Sequence, residues 1–168
     1  MRRSELEHLL RAAGAIAGED EIVVIGSQAI LATHPSPPPE LVVSLEADVY
    51  PMRAPWKADL IDGSIGELSP FHETFGYYAH GVGPETARLP DGWQARLVKL
   101  NNPNTGGVTG LCLSLNDLAV SKLAAGRGKD LDYVRQLIAH GLVAKADVAG
   151  LCRGMPEEAL LRQRLLLV

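Results

Sequence analysis

The stretch Glu21–Leu31, EIVVIGSQAIL, constrains this chain more than any other. Four consecutive aliphatic residues, Ile22 to Ile25, read as a short strand buried on both faces, so the fold needs a sheet with cover on each side. Gly26 and Ser27 end that strand, and the spacing predicts a short helix from Ser27 through Ala32. A glycine at a strand end lets a ligand come close to the backbone. A helix start beyond it offers free N–H groups and a partial positive charge suited to phosphate oxygens, and Ser27 adds a hydroxyl donor. A tight turn with a serine cap accounts for the same two residues.

The next strand follows a stiff surface loop, HPSPPPE, in which the prolines remove donors and fix φ. In SLEADV, Leu45, Ala47 and Val49 face one way while Ser44, Glu46 and Asp48 face the other. Glu46 and Asp48 lie two residues apart, roughly 6.5–7 Å along the strand. Carboxylates in this arrangement suit Mg²⁺ or Mn²⁺, hard cations that prefer oxygen ligands. They also suit the wet face of a half-exposed strand.

Ser4 and Glu7 give a capping-box pattern for a first amphipathic helix carrying Leu6, Leu9, Leu10, Ala13 and Ile16, stopped at Gly14 or Gly18. The middle of the chain predicts a helix over PWKADLID and strands around YYAHGV and TARL. WQARLVKL and TGLCLS bracket NNPNTGG as a hairpin. From Ser114 onward the pattern is helical. Ser114 and Asp117 cap a helix that stops near Gly126, KDLDYVRQLIAHG stops at Gly141, and two further helices follow, the last with Pro156 at its start. The expected architecture is α/β (α+β): a small mixed sheet flanked by helices over 1–114, with a C-terminal helical segment over 115–168 packed on it.

The pattern of apolar strand, Gly-Ser, helix and acid-x-acid strand resembles the nucleotidyltransferase (DNA polymerase β-like) superfamily. The block DLAVSKLAAGRGKDLDYV resembles the C-terminal motif of its AbiEii/MenA-type, toxin-like branch. LPDGWQARLV and the same block also resemble uncharacterised bacterial nucleotidyltransferase-like proteins. The resemblance implies that Gly26 and Ser27 bind triphosphate and that Glu46 and Asp48 bind metal and act in catalysis. Lys122 and Lys129 would face phosphate, with Asp130 as the acidic partner. It implies an NTP as substrate, a hydroxyl acceptor such as a tRNA 3′ end or a protein, and a cognate antitoxin or toxin as partner. A protein of this fold that has lost turnover and serves as a binding module is the alternative. Two departures stand out: Glu46 replaces the first aspartate of the pattern, and the later strands offer no third carboxylate, with Arg88 in TARL and no acid in WQARLVKL. Without the family, Lys122, Arg127 and Lys129 form a basic helix junction that Asp130, Asp132 and solvent can balance.

A formal charge of −4 argues against binding nucleic acid through bulk charge. Aromatics make up 5% of the chain, which leaves the core to aliphatic residues. Cys112 and Cys152 have no metal-ligand spacing and read as buried free thiols of a reducing cytoplasm. No apolar run approaches the ~20 residues of a membrane span, and the amino-terminal segment lacks a signal-like apolar stretch. The five histidines show no metal spacing and read as surface or cap residues, Trp56 and Trp93 as core or rim packing. The glycine-rich stretches lack a P-loop lysine, and Ser27 lies in no nucleophile elbow.

Overall fold

The computed structural model describes all 168 residues. In chain order the elements are α1 (Arg3–Ala17), β1 (Glu21–Val24), β2 (Glu46–Pro51), α2 (Ala58–Ile65), α3 (Pro70–Phe75), β3 (Tyr78–Gly81), β4 (Val98–Leu100), β5 (Thr109–Cys112), α4 (Leu115–Ala125), α5 (Gly128–Ala139), α6 (Lys145–Cys152) and α7 (Glu158–Leu166). Short 3₁₀ turns join them, including Ser27–Ala32 after β1. The fold is mixed α/β, with one five-stranded sheet flanked by helices. Two compact units are present: Met1–Thr86 with Leu97–Leu113, and Ala87–Arg96 with Ser114–Val168.

The first unit holds the sheet, in the order β3-β2-β1-β5-β4. β1 runs antiparallel to β2 and parallel to β5; β2 and β3 are parallel, and β4 and β5 form the antiparallel hairpin. Ile22, Val23 and Val24 of the central strand are fully buried, as an unbroken aliphatic run requires. α1 and α2 pack against each other and against the sheet. Ala47, Val49, Ala79 and Gly81 share the face on which α2 lies. A Cβ at Gly81 would come within 2.1 Å of the Ala58 carbonyl oxygen, so glycine there lets the helix approach the strand.

The α1 cap differs from the expected box. Arg2 is the N-cap and the Glu5 carboxylate accepts its backbone N–H at 2.7 Å, while Gly18 ends the helix at φ 64°. Glu7 is instead nearly buried and accepts from the side chains of Asn102 and Asn104 at 2.7 and 2.9 Å. Leu45 precedes the strand rather than joining its apolar face, and is 54% exposed. TARL is no strand: Pro84–Thr86 forms a 3₁₀ turn, and proline at its head supplies no ladder donor. Trp93–Arg96 is likewise a 3₁₀ turn. Trp56 is 74% exposed rather than packed.

The second unit is built around α4, which contacts α5, α6 and α7. The Ser114 hydroxyl accepts the Asp117 N–H at 3.1 Å, and Gly126 closes α4 in the left-handed region at φ 68°. The buried Asp117 carboxylate receives a forked pair of bonds from Arg96, at 2.9 Å from Nε and 2.7 Å from Nη2. That bond and the Arg88–Glu157 ion pair at 2.5 Å tie the Ala87–Arg96 segment to the helices of this unit. Cys112 in the first unit and Cys152 in the second are buried free thiols, and burial pushes the Cys112 thiol up to about 12.

Candidate functional site

Strand pairing brings the Gly-Ser bend and the acidic strand together. Val24 stands opposite Val49, and just beyond that pair the Ile25 N–H donates to the Asp48 carbonyl at 3.1 Å. Gly26 therefore lies beside Asp48. A Cβ built on Gly26 would meet Asp48 Oδ2 at 2.5 Å, so glycine leaves the space that this carboxylate oxygen uses. Ser27 is half-buried and opens the short helix expected over Ser27–Ala32, which is 3₁₀ rather than α in type.

Glu46 and Asp48 occupy the sheet face opposite α2, two residues apart as the alternation requires. Each meets a side chain from the strand position paired with it. Tyr78, paired with Glu46, donates its hydroxyl to Glu46 Oε2 at 2.9 Å. His80, paired with Asp48, places Nδ1 3.0 Å from Asp48 Oδ1. Desolvation, followed by the bond to Glu46, raises the Tyr78 phenol to about 12, which keeps it a donor at neutral pH. The Asp48 side chain is 29% exposed and that of His80 is 51% exposed, so solvent reaches this face.

Nowhere in the chain do three or more His, Cys, Asp or Glu side chains gather as a metal cluster. The donor set at the bend is two carboxylates, which matches a Mg²⁺ site completed by phosphate oxygens and water rather than an all-protein cage. A cleft of about 600 Å³ in the first unit, lined by Arg11, Asp20, Arg53 and Gly107 among others, does not include these acids. They lie instead on an open strand face.

The other expected site residues lie in the second unit. Asp130 is completely buried in the first turn of α5, and its carboxylate accepts from Lys122 Nζ at 3.1 Å and from Arg127 Nε at 2.6 Å. Burial alone would raise its pKa, but the Arg127 bond and the Lys122 charge outweigh that and hold it below the ordinary carboxylate range. Lys122 also lies 5.2 Å from the centre of the Tyr133 ring. Lys129 is exposed. Asp130 thus joins α4 to α5 through a buried ionic contact, and Lys129 presents its charge to solvent.

Tyr78 and His80, which the sequence places in the YYAHGV strand without a role at the site, are neighbours of the two acids. Their signal is the same as that of the acids, alternate positions of one strand, but it needs the register between β2 and β3 to become visible. His8, expected at the surface, belongs to an aromatic cluster with Phe71, Phe75 and Tyr77, and its Nδ1 lies 2.7 Å from the Tyr77 hydroxyl. Burial, aided by Arg11, lowers its pKa.

Residues 4–160 match a family described as nucleotidyltransferase of unknown function, DUF6036. The chain belongs to DUF6036. That membership places it among nucleotidyltransferases and spans both units, from α1 into α7. No curated protein and no solved structure matches it. Within this DUF6036 chain, no helix is long and apolar enough to cross a membrane.

Proposed function

We propose that this protein transfers a nucleoside monophosphate from an NTP to a hydroxyl acceptor, with Glu46 and Asp48 holding Mg²⁺ or Mn²⁺. The supporting observation is the approach of Asp48 Oδ2 to Gly26, which puts a carboxylate oxygen directly against the backbone of the Gly-Ser bend. When bound, the metal neutralises phosphate charge. Gly26 admits the triphosphate close to the main chain, and Ser27 offers it a hydroxyl. The acceptor oxygen bonds to the α-phosphorus in line with the departing bridging oxygen, pyrophosphate leaves, and the hydroxyl proton passes to solvent. Lys122 is committed to Asp130, which fixes where its charge lies.

The acceptors to examine are a tRNA 3′ end and a protein hydroxyl, the latter including a toxin or antitoxin partner. Incubation with each α-labelled NTP, Mg²⁺ and bulk tRNA or cell lysate tests the reading. Label transfer that disappears in Asp48→Ala is the expected result; transfer that survives in Asp48→Ala rejects the site. Because two like charges sit close together, metal should stabilise the fold. A few millimolar Mn²⁺ is expected to raise the melting temperature of wild type but not of Asp48→Ala.

One observation favours a second reading, a nucleotide- or partner-binding module without turnover. Both acids are hydrogen-bonded to their neighbours, and no third carboxylate joins them. NTP binding without transfer to any acceptor would decide for it.

A further inference from the structure

Across the β2–β3 ladder, each acid meets a hydrogen-bonding side chain from the residue paired with it in register. Glu46 faces Tyr78 and Asp48 faces His80, at 2.9 and 3.0 Å. A carboxylate at neutral pH is acceptor-only, so the ring nitrogen of His80 that meets Asp48 carries the proton and donates it. The bond engages Oδ1, while Oδ2 lies against the Gly26 bend. On Glu46 the phenol takes Oε2 and leaves Oε1 outside that bond.

Tyr78 is itself held. The His72 ring packs on Tyr78 with centroids 4.5 Å apart and planes inclined at 45°. His72 is fixed in turn by the Leu68 backbone N–H, which donates to its Nδ1 at 3.0 Å. Leu68 is the one non-glycine residue with positive φ, at 62°, a conformation that carries a steric cost for any residue with a Cβ. It is also 80% exposed, so little apolar burial offsets that cost. The same turn carries the Ser69 N–H to the Gly66 carbonyl at 3.2 Å, and through Leu68 it holds the His72 ring that packs on Tyr78.

We infer that β3 is a positioning strand: Tyr78 and His80 hold Glu46 and Asp48 in the rotamers that bind metal. The inference rests on the reading of those two acids as the metal pair. Outer-shell partners of this kind fix ligand orientation, and their loss typically costs 10–100-fold in metal affinity.

Mn²⁺ titration at one neutral pH, with free Mn²⁺ read by electron paramagnetic resonance, tests it. Wild type is expected to bind and Asp48→Ala to fail. Tyr78→Phe and His80→Ala are each expected to weaken Mn²⁺ binding about tenfold or more, while circular dichroism and melting temperature confirm that they fold. His80→Asn keeps an N–H donor near the position of Nδ1 and is expected to recover most of the affinity. Wild-type affinity in Tyr78→Phe and His80→Ala overturns the positioning role while leaving the metal pair intact. Equal weakening in His80→Asn and His80→Ala also overturns it, since bulk rather than the donor would then matter. Absence of Mn²⁺ binding by wild type removes the metal pair and this inference together.

Discussion

A methyl group on Gly26 would collide with the Asp48 side chain, at 2.5 Å from Oδ2 and 3.2 Å from Cβ. The far oxygen can swing away but the Cβ cannot, so Gly26→Ala is expected to fold with a loss of about 1–3 kcal/mol. Because the displaced group is the carboxylate, the same variant is expected to lose Mn²⁺ binding well beyond what its urea midpoint implies. Unchanged Mn²⁺ affinity would separate the bend from the acid. Alternation alone put Glu46 and Asp48 on one face, because a strand of period two leaves no other arrangement. Tyr78 and His80 were hidden, since which strand lies next to β2, and in which register, depends on contacts distant in sequence. His8 was misjudged for a similar reason. The sequence reads it as a surface or cap residue, and only the fold supplies Phe71, Phe75 and Tyr77 around it.

Among the elements, the junction of α4 and α5 carries the clearest electrostatics. The depressed pKa of Asp130 means that the unfolded chain binds a proton more readily than the folded one. The Asp130 contribution is therefore present above the unfolded carboxylate value, near pH 4, and is lost as pH falls through the lower folded value. Asp130→Asn is expected to flatten this part of the acid-unfolding curve and to cost about 1–3 kcal/mol at neutral pH. That figure is reduced because the Arg127 side chain is 62% exposed. An acid limb identical to that of wild type would show that the pair contributes nothing. The end of α4 has a second device. Arg164 of α7 donates to the carbonyls of Leu123 and Ala124 at 2.6 and 2.9 Å, satisfying groups that the helix leaves open. Gly126 leaves room for it, since a Cβ there would meet the guanidinium at 2.2 Å. Arg164→Met is expected to lower stability by about 1–2 kcal/mol in urea unfolding. The helix boundaries here were legible because Ser114 and Gly126 are local signals. TARL was not, because a short apolar alternation weighs less than the proline and glycine just before it.

For the molecule as a whole, the order in which the chain visits its two units governs which pieces can exist alone. Residues 114–168 by themselves contain Asp117, whose carboxylate is fully buried, but not Arg96, which neutralises it. This fragment is expected to unfold without a cooperative urea transition, whereas residues 87–96 joined through a flexible linker to 114–168 are expected to regain one. Cooperative unfolding of 114–168 alone would show that the Arg96 bond is dispensable. The units themselves are interleaved in the chain, first, second, first, second, with Ala87–Arg96 as the early visit. During synthesis this short stretch leaves the ribosome before β4 and β5 exist to finish the sheet, and well before α4 arrives to receive Arg96. Neither half can be released by a single proteolytic nick or inherited by a single splice, so gene fusion must carry them together or not at all.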